Sequence, residues 1–285
     1  MAGTLYLVPT PIGNLGDISQ RAAGTLEAVD FIAAEDTRVT VKLLNHLGIK
    51  KPMVAYHRHN KDTAGPILLK RLLAGESCAL VTDAGTPAIS DPGEELVALC
   101  AGAQVQVEAI PGPCALITAL SVSGLPTGRF IFEGFLPMNR KNRRARLEEL
   151  GNEERTMVFY EAPHKLTATL DDLRDTFGPD RRVAVCRELT KLHEQVLRTT
   201  LGEATDYFVQ TPPRGEFVLV VDGAPTPAAQ AGDPQQALKR VEQLRGEGWS
   251  LKDAAAQAAV EGSSYGLYRD RQDSVYCRRT EITDP

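Results

Sequence analysis

Three loops rich in proline and glycine carry the residues best suited to chemistry in this sequence. They span residues 9–16, 83–93 and 111–113, and each follows a short apolar run typical of a buried strand. In open α/β sheets, ligands bind beyond the carboxyl ends of the strands, so we expect the loops to line one small-molecule cleft. The first loop has neither the GxGxxG of dinucleotide sites nor the GKS or GKT of phosphate-binding loops. A nicotinamide dehydrogenase is therefore disfavoured.

Charged residues at strand ends are the candidates for proton transfer. Asp83 directly follows an apolar strand, where its carboxylate could receive a cationic or hydroxylated ligand. The alternative is that this loop is only a long turn in which Asp91 caps the next helix. Glu188 and Lys191, in the segment RELTK, offer a carboxylate and an amine that serve either proton transfer or a surface ion pair.

Two other strand ends leave the role of their polar residues open. Glu35, Asp36 and Arg38 form either an ion-pair cluster or a surface that faces the substrate. Cys114 follows the Pro-Gly-Pro turn and has the chemistry of a nucleophile, but the sequence suggests no His or Asn partner beside it. We expect it to be a small, polarisable wall residue.

Two basic segments stand out in a chain whose net charge is −5, a balance that argues against general coating of nucleic acid. Residues 139–146 (NRKNRRAR) precede a predicted helix and are typical of a phosphate-backbone contact, with a solvated helix face as the alternative. In the segment HRHN, at 57–60, two histidines resemble metal ligands, but no third and fourth ligand is evident. We expect no metal there and interpret the segment as a polar loop that meets the substrate.

Composition places the chain among ordinary globular proteins. It has 285 residues, of which 42% are hydrophobic and 24% charged, a length typical of about two domains. Its five cysteines are odd in number and lack CxxC spacing, which fits a reducing compartment. The sequence shows no signal peptide and no apolar stretch that would span a membrane, so we expect a cytoplasmic protein.

The apolar pattern predicts two α/β domains followed by a helical tail. In residues 1–117 strands alternate with helices, which favours a mostly parallel sheet, and one helix is expected to end at Gly48 and another to start near Asp17. In residues 118–223 several strands follow one another without helices between them, which favours a mixed sheet. Residues 224–234 have the composition of a linker. Residues 235–285 form the tail, which has no clear periodicity after 262.

Seven segments, in order along the chain, resemble the family of bacterial small-subunit ribosomal RNA ribose 2′-O-methyltransferases, within the tetrapyrrole-methylase superfamily. The segments are LYLVPTPIGNLGDIS (5–19), AEDTR (34–38), VTDAGTPAISDPG (81–93), PGPCALITALSVSGLP (111–126), FEGFLP (132–137), FYEAPHK (159–165) and RELTK (187–191). They extend from Leu5 to about Asp222, roughly three quarters of the chain. The long segments are specific, and a chance match to all seven is not credible.

The resemblance implies a homodimer whose two α/β domains hold S-adenosylmethionine in the cleft between them. Its pocket, carried over by position, would consist of Pro11, Ile12, Asp83, Gly85, Thr86, Ile89, Ala115, Leu116, Phe159, Tyr160 and Leu189. The implied substrate is a cytidine ribose in the decoding region of 16S ribosomal RNA, in an assembled small subunit. Its contacts would include His57, Arg58, Arg140, Lys141, Arg143 and Arg144.

The implied reaction is an in-line methyl transfer that needs no metal. The enzyme must align the 2′-hydroxyl with the methyl group and accept the hydroxyl proton. Asp83, Glu188 and Lys191 are the candidate acceptors, and the sequence does not choose among them. An unperturbed carboxylate is a weak base for a hydroxyl, and an amine must first lose its own proton, which burial could favour.

Two alternatives stay open at this point. The chain could methylate a tetrapyrrole, although the two basic segments favour RNA. It could also be a non-catalytic RNA-binding module, which would present an exposed basic or aromatic face instead of a deep cleft.

The tail departs from the family, in which a small helical module ends in a basic helix with an aromatic residue. Tyr268, Arg269 and Arg271 are the residues that could correspond to that helix.

Overall fold

The computed structural model describes residues 2–225 and 234–260, together with the pairs 268–269 and 275–276. The chain divides into two compact units, the first ending at Ala224 and the second starting at Pro225. The first unit contains two α/β domains with a sheet each, as predicted. Each helix of the described ranges is too short or too polar to span a bilayer.

The first domain is built on a sheet in the order β3-β2-β4-β1-β5, in which every described strand pair is parallel. Its elements are β1 (Thr4–Leu7), α1 (Gln20–Ala28), β2 (Phe31–Ala34), α2 (Thr37–Leu47), β3 (Met53–Ala55), α3 (Lys61–Leu73), β4 (Cys78–Val81), α4 (Glu94–Gly102) and β5 (Gln106–Ala109). Strands β2 and β4 are buried throughout because helices cover both faces of the sheet. Leu68 and Leu96 pack on one face, and Leu26 and Leu44 on the other.

Helix ends in this domain follow local sequence signals, with one difference. Gly48 ends α2 in the left-handed region (φ 71°), as predicted, and its N–H donates to the carbonyls of Leu44 and Asn45. Helix α1 is capped by Ser19, whose Oγ accepts from the Ala22 N–H at 3.1 Å, and not by Asp17. Asp17 lies instead in a single 3₁₀ turn that precedes the helix. Strand β3 has only three residues and was missed, since so short an edge strand leaves no periodic pattern.

The second domain has the mixed sheet that was predicted, in the order β6-β7-β10-β8-β9. Only β6 and β7 pair in parallel; the other pairs are antiparallel. Its elements are α5 (Ala115–Val122), β6 (Phe130–Phe135), α6 (Arg140–Glu149), β7 (Thr156–Glu161), α7 (Pro163–Phe177), β8 (Arg182–Arg187), β9 (Gln195–Thr200), α8 (Leu201–Gln210) and β10 (Phe217–Val221).

Helix α5 belongs to the second domain, and this moves the predicted domain boundary. Residue 118 lies inside α5, whose Leu116 and Leu120 pack against Val158 and Val218 of the second sheet. The first domain therefore ends before Ala115, at the Pro-Gly-Pro turn. The sequence pattern placed the boundary too late because α5 is apolar on most sides and looks like a continuation of the first domain.

The basic segment at 139–146 is itself helical, whereas the sequence placed it before a helix. Helix α6 begins at Arg140, and the Asn139 side-chain oxygen caps it by accepting from the Lys141 N–H at 2.9 Å. Strongly charged residues hide the helical period here, since only Arg143 and Leu147 of α6 are buried.

The described residues of the second unit form two helices and a pair of short strands. Helices α9 (Pro234–Gly246) and α10 (Leu251–Val260) were predicted, and the Ser250 hydroxyl caps α10 by accepting from the Asp253 N–H at 3.1 Å. Strands β11 (Tyr268–Arg269) and β12 (Val275–Tyr276) pair antiparallel, in the part of the tail where the sequence shows no clear periodicity. Arg271 and most of the linker lie outside the described residues.

Candidate active site

The three loops meet at the carboxyl edge of the first sheet, as predicted. Thr10 and Gly85 form an antiparallel bridge, with N–H to carbonyl distances of 2.9 and 3.0 Å. The buried Thr10 hydroxyl donates to the Thr82 carbonyl at 3.0 Å. The Thr86 hydroxyl donates to the Pro113 carbonyl at 2.9 Å and joins the second loop to the third. The loops therefore form one hydrogen-bonded rim.

Glycine is required at two points where these loops touch. Gly85 has φ 88°, and a Cβ there would lie 3.3 Å from Ile12 Cγ2. A Cβ on Gly112 would lie 2.9 Å from the Pro9 Cβ, closer than such atoms approach. Larger side chains would push the loops apart, so backbone atoms, and not side chains, form this part of the rim.

A cavity of about 590 Å³ lies between this rim and the second domain. Both domains line it, through Ile12, Glu35, Thr82, Asp83, Ala84, Gly85, Thr86, Ile89, Ser90, Asp91, Cys114, Ala115, Phe135, Tyr160, Glu161, Ala162, Pro163, His164, Cys186, Leu189, Glu216, Phe217 and Val218. The lining is largely apolar with a few polar groups. That composition and this volume are typical of small-molecule sites.

Most of the predicted cofactor residues line this cavity. They are Ile12, Asp83, Gly85, Thr86, Ile89, Ala115, Tyr160 and Leu189. Pro11 and Leu116 do not line it, although the Leu116 N–H donates to the Tyr160 hydroxyl at 3.1 Å and fixes that ring.

Phe159 is the one predicted pocket side chain that points the other way. It is fully buried in the core beneath α7, with Leu166 and Leu170. Side chains alternate along β7, so Tyr160 faces the cleft and Phe159 faces the core. The sequence did not separate the two because both are aromatic neighbours in one strand.

Three carboxylates lie at the acidic edge of the cleft. Burial raises the pKa of Asp83, and the nearby Glu35 raises it further. Glu35 accepts from the Thr82 hydroxyl at 2.6 Å, and Asp83 accepts from the Asp36 N–H at 3.1 Å. Burial raises the pKa of Asp91 to about 6. Sequence reasoning missed Asp91 as a cleft residue; Gly93, and not Asp91, precedes α4.

Glu188 and Lys191 form an ion pair next to the cavity and do not line it. Lys191 Nζ lies 2.8 Å from Glu188 Oε1 and 2.7 Å from Glu216 Oε2. Burial opposes the charge on Lys191, but its two carboxylate partners outweigh this and raise its pKa. Burial likewise opposes the charge on Glu188, yet the hydrogen bonds from Lys191 and the Glu216 N–H leave its pKa lowered. Both groups are therefore held charged at neutral pH.

Arg143 does not face solvent, which corrects its prediction as an RNA contact. Its side chain is 7% exposed and lies 2.6 Å from the fully buried Asp172 carboxylate on α7. Arg144 and Arg140 approach the same carboxylate at 2.8 and 3.4 Å, with side chains 43% and 66% exposed. Lys141 is exposed. The charge of α6 is thus divided between a buried anchor and an outer basic face.

The other basic segment, residues 57–60, contacts the second loop. Arg58 Nη2 donates to the Ser90 carbonyl at 2.7 Å, and the His57 N–H donates to the Asn60 side chain at 2.8 Å. The rings of His57 and His59 lie 6.0 Å apart. Within the described ranges, His, Cys, Asp and Glu form no group of three that could hold a metal ion.

The structure shows where Glu35, Asp36 and Arg38 lie, whose roles the sequence left open. Asp36 and Arg38 form an ion pair at 2.6 Å, while Glu35 lines the cavity. The cluster is therefore an ion pair in part and a cleft-facing group in part. Cys114, whose role was also open, lies in the cavity wall directly before α5.

Comparison with known proteins finds matches over most of the chain. The family model for tetrapyrrole (corrin/porphyrin) methylases matches residues 4–205. A ribosomal RNA small subunit methyltransferase I from Synechocystis sp. is 51% identical over 260 residues, 91% of this chain and 93% of the relative. The proteins of the same name from Pseudomonas aeruginosa and Escherichia coli O157:H7 are 47% and 48% identical, covering 90% of this chain and 92% and 90% of their own.

Solved structures share the fold at low sequence identity. A cobalt precorrin-4 methyltransferase superposes with a TM-score of 0.57 at 18% identity, over 77% of this chain and 94% of that one. A uroporphyrin-III C-methyltransferase from Thermus thermophilus, solved with S-adenosylhomocysteine, gives 0.55 at 18% identity, over 77% and 97%. The chain belongs to the tetrapyrrole (corrin/porphyrin) methylase family, among the relatives named ribosomal RNA small subunit methyltransferase I.

Proposed function

We propose that this protein transfers a methyl group to the 2′-hydroxyl of a cytidine ribose in the decoding region of 16S ribosomal RNA, within the small ribosomal subunit in the cytoplasm. The relatives that cover most of the chain are named for ribosomal RNA methylation, which supports an RNA substrate. The observation that carries the proposal is the deep cleft between the two domains, with carboxylates at its edge. A non-catalytic binding module has no need of such a cleft.

The cleft fits S-adenosylmethionine, the methyl donor of this family. Its volume of about 590 Å³ suits a molecule of this size, and its apolar lining suits an adenine ring and a methionine chain. Gly85 leaves backbone groups free to approach a ligand where a Cβ would meet Ile12. Asp83 and Glu35 provide negative charge for a cation. When bound, S-adenosylmethionine supplies an electrophilic methyl group on a sulfonium.

Asp83 is the proton acceptor that the geometry favours. It lines the cavity, and burial together with Glu35 raises its pKa, which makes it a stronger base than an ordinary carboxylate. S-adenosylmethionine held in the cleft would supply the methyl group to the ribose oxygen and would keep the electron pair of the broken carbon–sulfur bond on its sulfur. The hydroxyl proton passes to the Asp83 carboxylate. Lys191 is a poor acceptor because its partners keep it protonated.

Glu188 and Lys191 act as positioning residues in this proposal. Leu189, which lines the cavity, lies between them in the chain. Glu188 and Thr190 both have positive φ, 51° and 67°, a conformation that the surrounding ion pairs must hold in place. Lys191 also packs over Gly13 in the first loop. The ion pair therefore keeps the far wall of the cleft against the first domain.

RNA would meet the outer basic face of α6 and the loop at 57–60. Arg140, Lys141 and Arg144 keep part or all of their side chains in solvent, and Arg58 lies on the cleft rim. These residues supply the positive charge that a phosphate backbone requires from an otherwise acidic chain.

We also propose a homodimer, as the family resemblance implies, which sedimentation equilibrium would test.

The experiment is a methyl-transfer assay with radiolabelled S-adenosylmethionine. Small subunits that lack the modification should be labelled, naked 16S RNA should be labelled less, and uroporphyrinogen should not be labelled. Nucleoside mass spectrometry should find the label on the ribose of one cytidine. Label on a base would refute the 2′-O assignment, and label on the tetrapyrrole alone would favour the second candidate function. Folded protein that fails to bind S-adenosylmethionine by calorimetry would overturn both.

A further inference from the structure

Strand β6 contains a bulge that redirects its last side chain. The strand pairs with β7 in parallel, Phe132 opposite Val158 and Phe135 opposite Tyr160, with a register shift between Phe132 and Gly134. Regular alternation would place residues 132 and 135 on opposite faces. The extra residue puts both rings on the face of Tyr160, which lines the cavity.

Ile131, before the bulge, and Glu133, within it, show which face Phe135 would otherwise occupy. Ile131 packs against the core beneath α6 and α7, and Glu133 accepts from Arg146 of α6 at 2.9 Å. An unbulged strand would continue this series with Phe135 and bury its ring beneath the helices. The ring instead lines the cleft and is 56% exposed.

Gly134 makes the bulge possible and brings it against the first domain. Its φ of 63° lies in the left-handed region, which favours glycine. A Cβ on Gly134 would lie 3.0 Å from the Ser90 hydroxyl, and the Ser90 carbonyl accepts from Arg58. Gly134 and Ser90, which lie against each other, thus hold the ring of Phe135 and the guanidinium of Arg58 on the same rim.

The Phe135 ring rests on a fixed aromatic support. Its centroid lies 5.6 Å from that of Tyr160 in an edge-to-face arrangement, and Tyr160 makes the same type of contact with Phe132 at 4.9 Å. The Tyr160 hydroxyl is held by the Leu116 N–H at 3.1 Å. An exposed ring with such a support loses little conformational freedom when a flat ligand stacks on it.

We propose that Phe135 stacks on the base of the nucleotide whose ribose is methylated, and so positions that nucleotide at the mouth of the cleft. The inference rests on the proposed function and specifies how its substrate is held. An RNA strand is far too large for a cavity of about 590 Å³, so a single nucleotide must leave its neighbours to bring its ribose to Asp83. A base that has lost its stacking partners gains a new one on an aromatic ring. Arg58, on the same rim, provides a cation for a flanking phosphate.

Substitutions at Phe135 test the stacking. In the full-length protein, Phe135→Ala and Phe135→Leu should each lower kcat/KM for small subunits by about 5- to 100-fold, since a base–aromatic stack contributes on that scale. Phe135→Trp should retain wild-type activity because it keeps the aromatic face. The calorimetric affinity for S-adenosylmethionine should change less than about threefold in all three.

Phe130→Ala is the matched control, because it removes a partly exposed ring from the opposite end of the same strand. It should leave kcat/KM within about twofold of wild type. Equal activity of Phe135→Ala and wild type would overturn the inference alone, while an inactive wild type would overturn the proposed function. A loss of cofactor affinity that matches the loss of activity would assign Phe135 to the cofactor and also overturn the inference. So would full activity in Phe135→Leu, since leucine keeps the apolar contact without a stacking face.

Discussion

The guanidinium of Arg143 and the carboxylate of Asp172 form a buried ion pair, 2.6 Å apart, that joins α6 to α7. Removing one partner of such a pair leaves an uncompensated charge in the core, which costs about 3–5 kcal/mol. We expect Asp172→Asn and Arg143→Ala to lower the free energy of unfolding by about that amount in urea titrations. Arg182→Ala, which breaks the exposed pair with Asp222, should cost less than about 1 kcal/mol. If Arg143→Ala left the free energy of unfolding unchanged, the ion pair would not stabilise the fold and Arg143 would be available to contact RNA.

Acid should weaken the same contact. Burial opposes the charge of Asp172, but Arg144 and Arg143 outweigh it and hold its pKa below the ordinary 3.8. A lowered carboxyl pKa contributes stability above the unfolded value, and this is lost as pH falls through the folded value. The stability difference between wild type and Asp172→Asn should therefore be full above about pH 5 and shrink below pH 3.8. A difference that stayed constant down to pH 2.5 would contradict the assignment.

Asp91 should show the opposite pH dependence. Its pKa is raised from 3.8 to about 6, so the folded protein binds more protons than the unfolded chain between these values. Stability attributable to Asp91 is full below pH 3.8 and is lost as pH rises through about 6. Asp91→Asn should remove this loss and gain about 1–2 kcal/mol over wild type at pH 7.5, measured by urea unfolding at several pH values. A variant less stable than wild type at pH 7.5 would show that the charged form is stabilised by contacts.

Asp83 and Lys191 should separate in their effects on methyl transfer. Asp83→Asn should lower kcat by at least about 100-fold, since it removes the proton acceptor while keeping the shape. Lys191→Met should lower kcat/KM about tenfold by loosening the wall at Leu189, with an unchanged pH profile. In wild type the rate should rise with pH through the raised pKa of Asp83 and then level off. A second rise at alkaline pH that Lys191→Met abolished would identify Lys191 as the base.

A pair of glycine substitutions tests the close contact of the loops. Gly85→Ala forces a side chain into φ 88° and within 3.3 Å of Ile12, and should cost about 1–3 kcal/mol and weaken S-adenosylmethionine binding. Gly24→Ala is the control, because Gly24 lies in α1 with nothing within 4 Å of the added atom. It should stabilise the protein by about 0.5–1 kcal/mol without changing cofactor affinity. If Gly85→Ala and Gly24→Ala changed stability and cofactor affinity equally, the rim would tolerate a Cβ.

Local signals account for the parts of the fold and site that the sequence predicted. The loop positions follow from proline and glycine after apolar strands, and the end of α2 follows from Gly48 in the left-handed region. The convergence of the loops follows from the parallel sheet, which places successive strand ends at one edge. The helix end and the loop positions depend on residues a few positions apart, and the convergence depends on the alternation of strands and helices.

The missed features depend on partners far apart in the chain. Arg143 is separated from Asp172 by 29 residues, and no local pattern distinguishes it from the exposed Lys141. The direction of Phe159 depends on which face of β7 meets α7. The pKa of Asp91 depends on burial, which only the packed structure sets. The sequence shows the charge and composition of these segments, but not the direction in which each side chain points.

The single-residue bulge at Gly134 also bears on how related chains should be compared. Hydrophobic periodicity counts residues, whereas the bulge makes two residues occupy one place in the ladder. A chain of this fold that lacks the extra residue would carry a similar stretch of apolar letters, yet its aromatic ring would lie in the interior. The spacing between the last two aromatics of this strand, and not their mere presence, therefore decides whether both rings face the cleft.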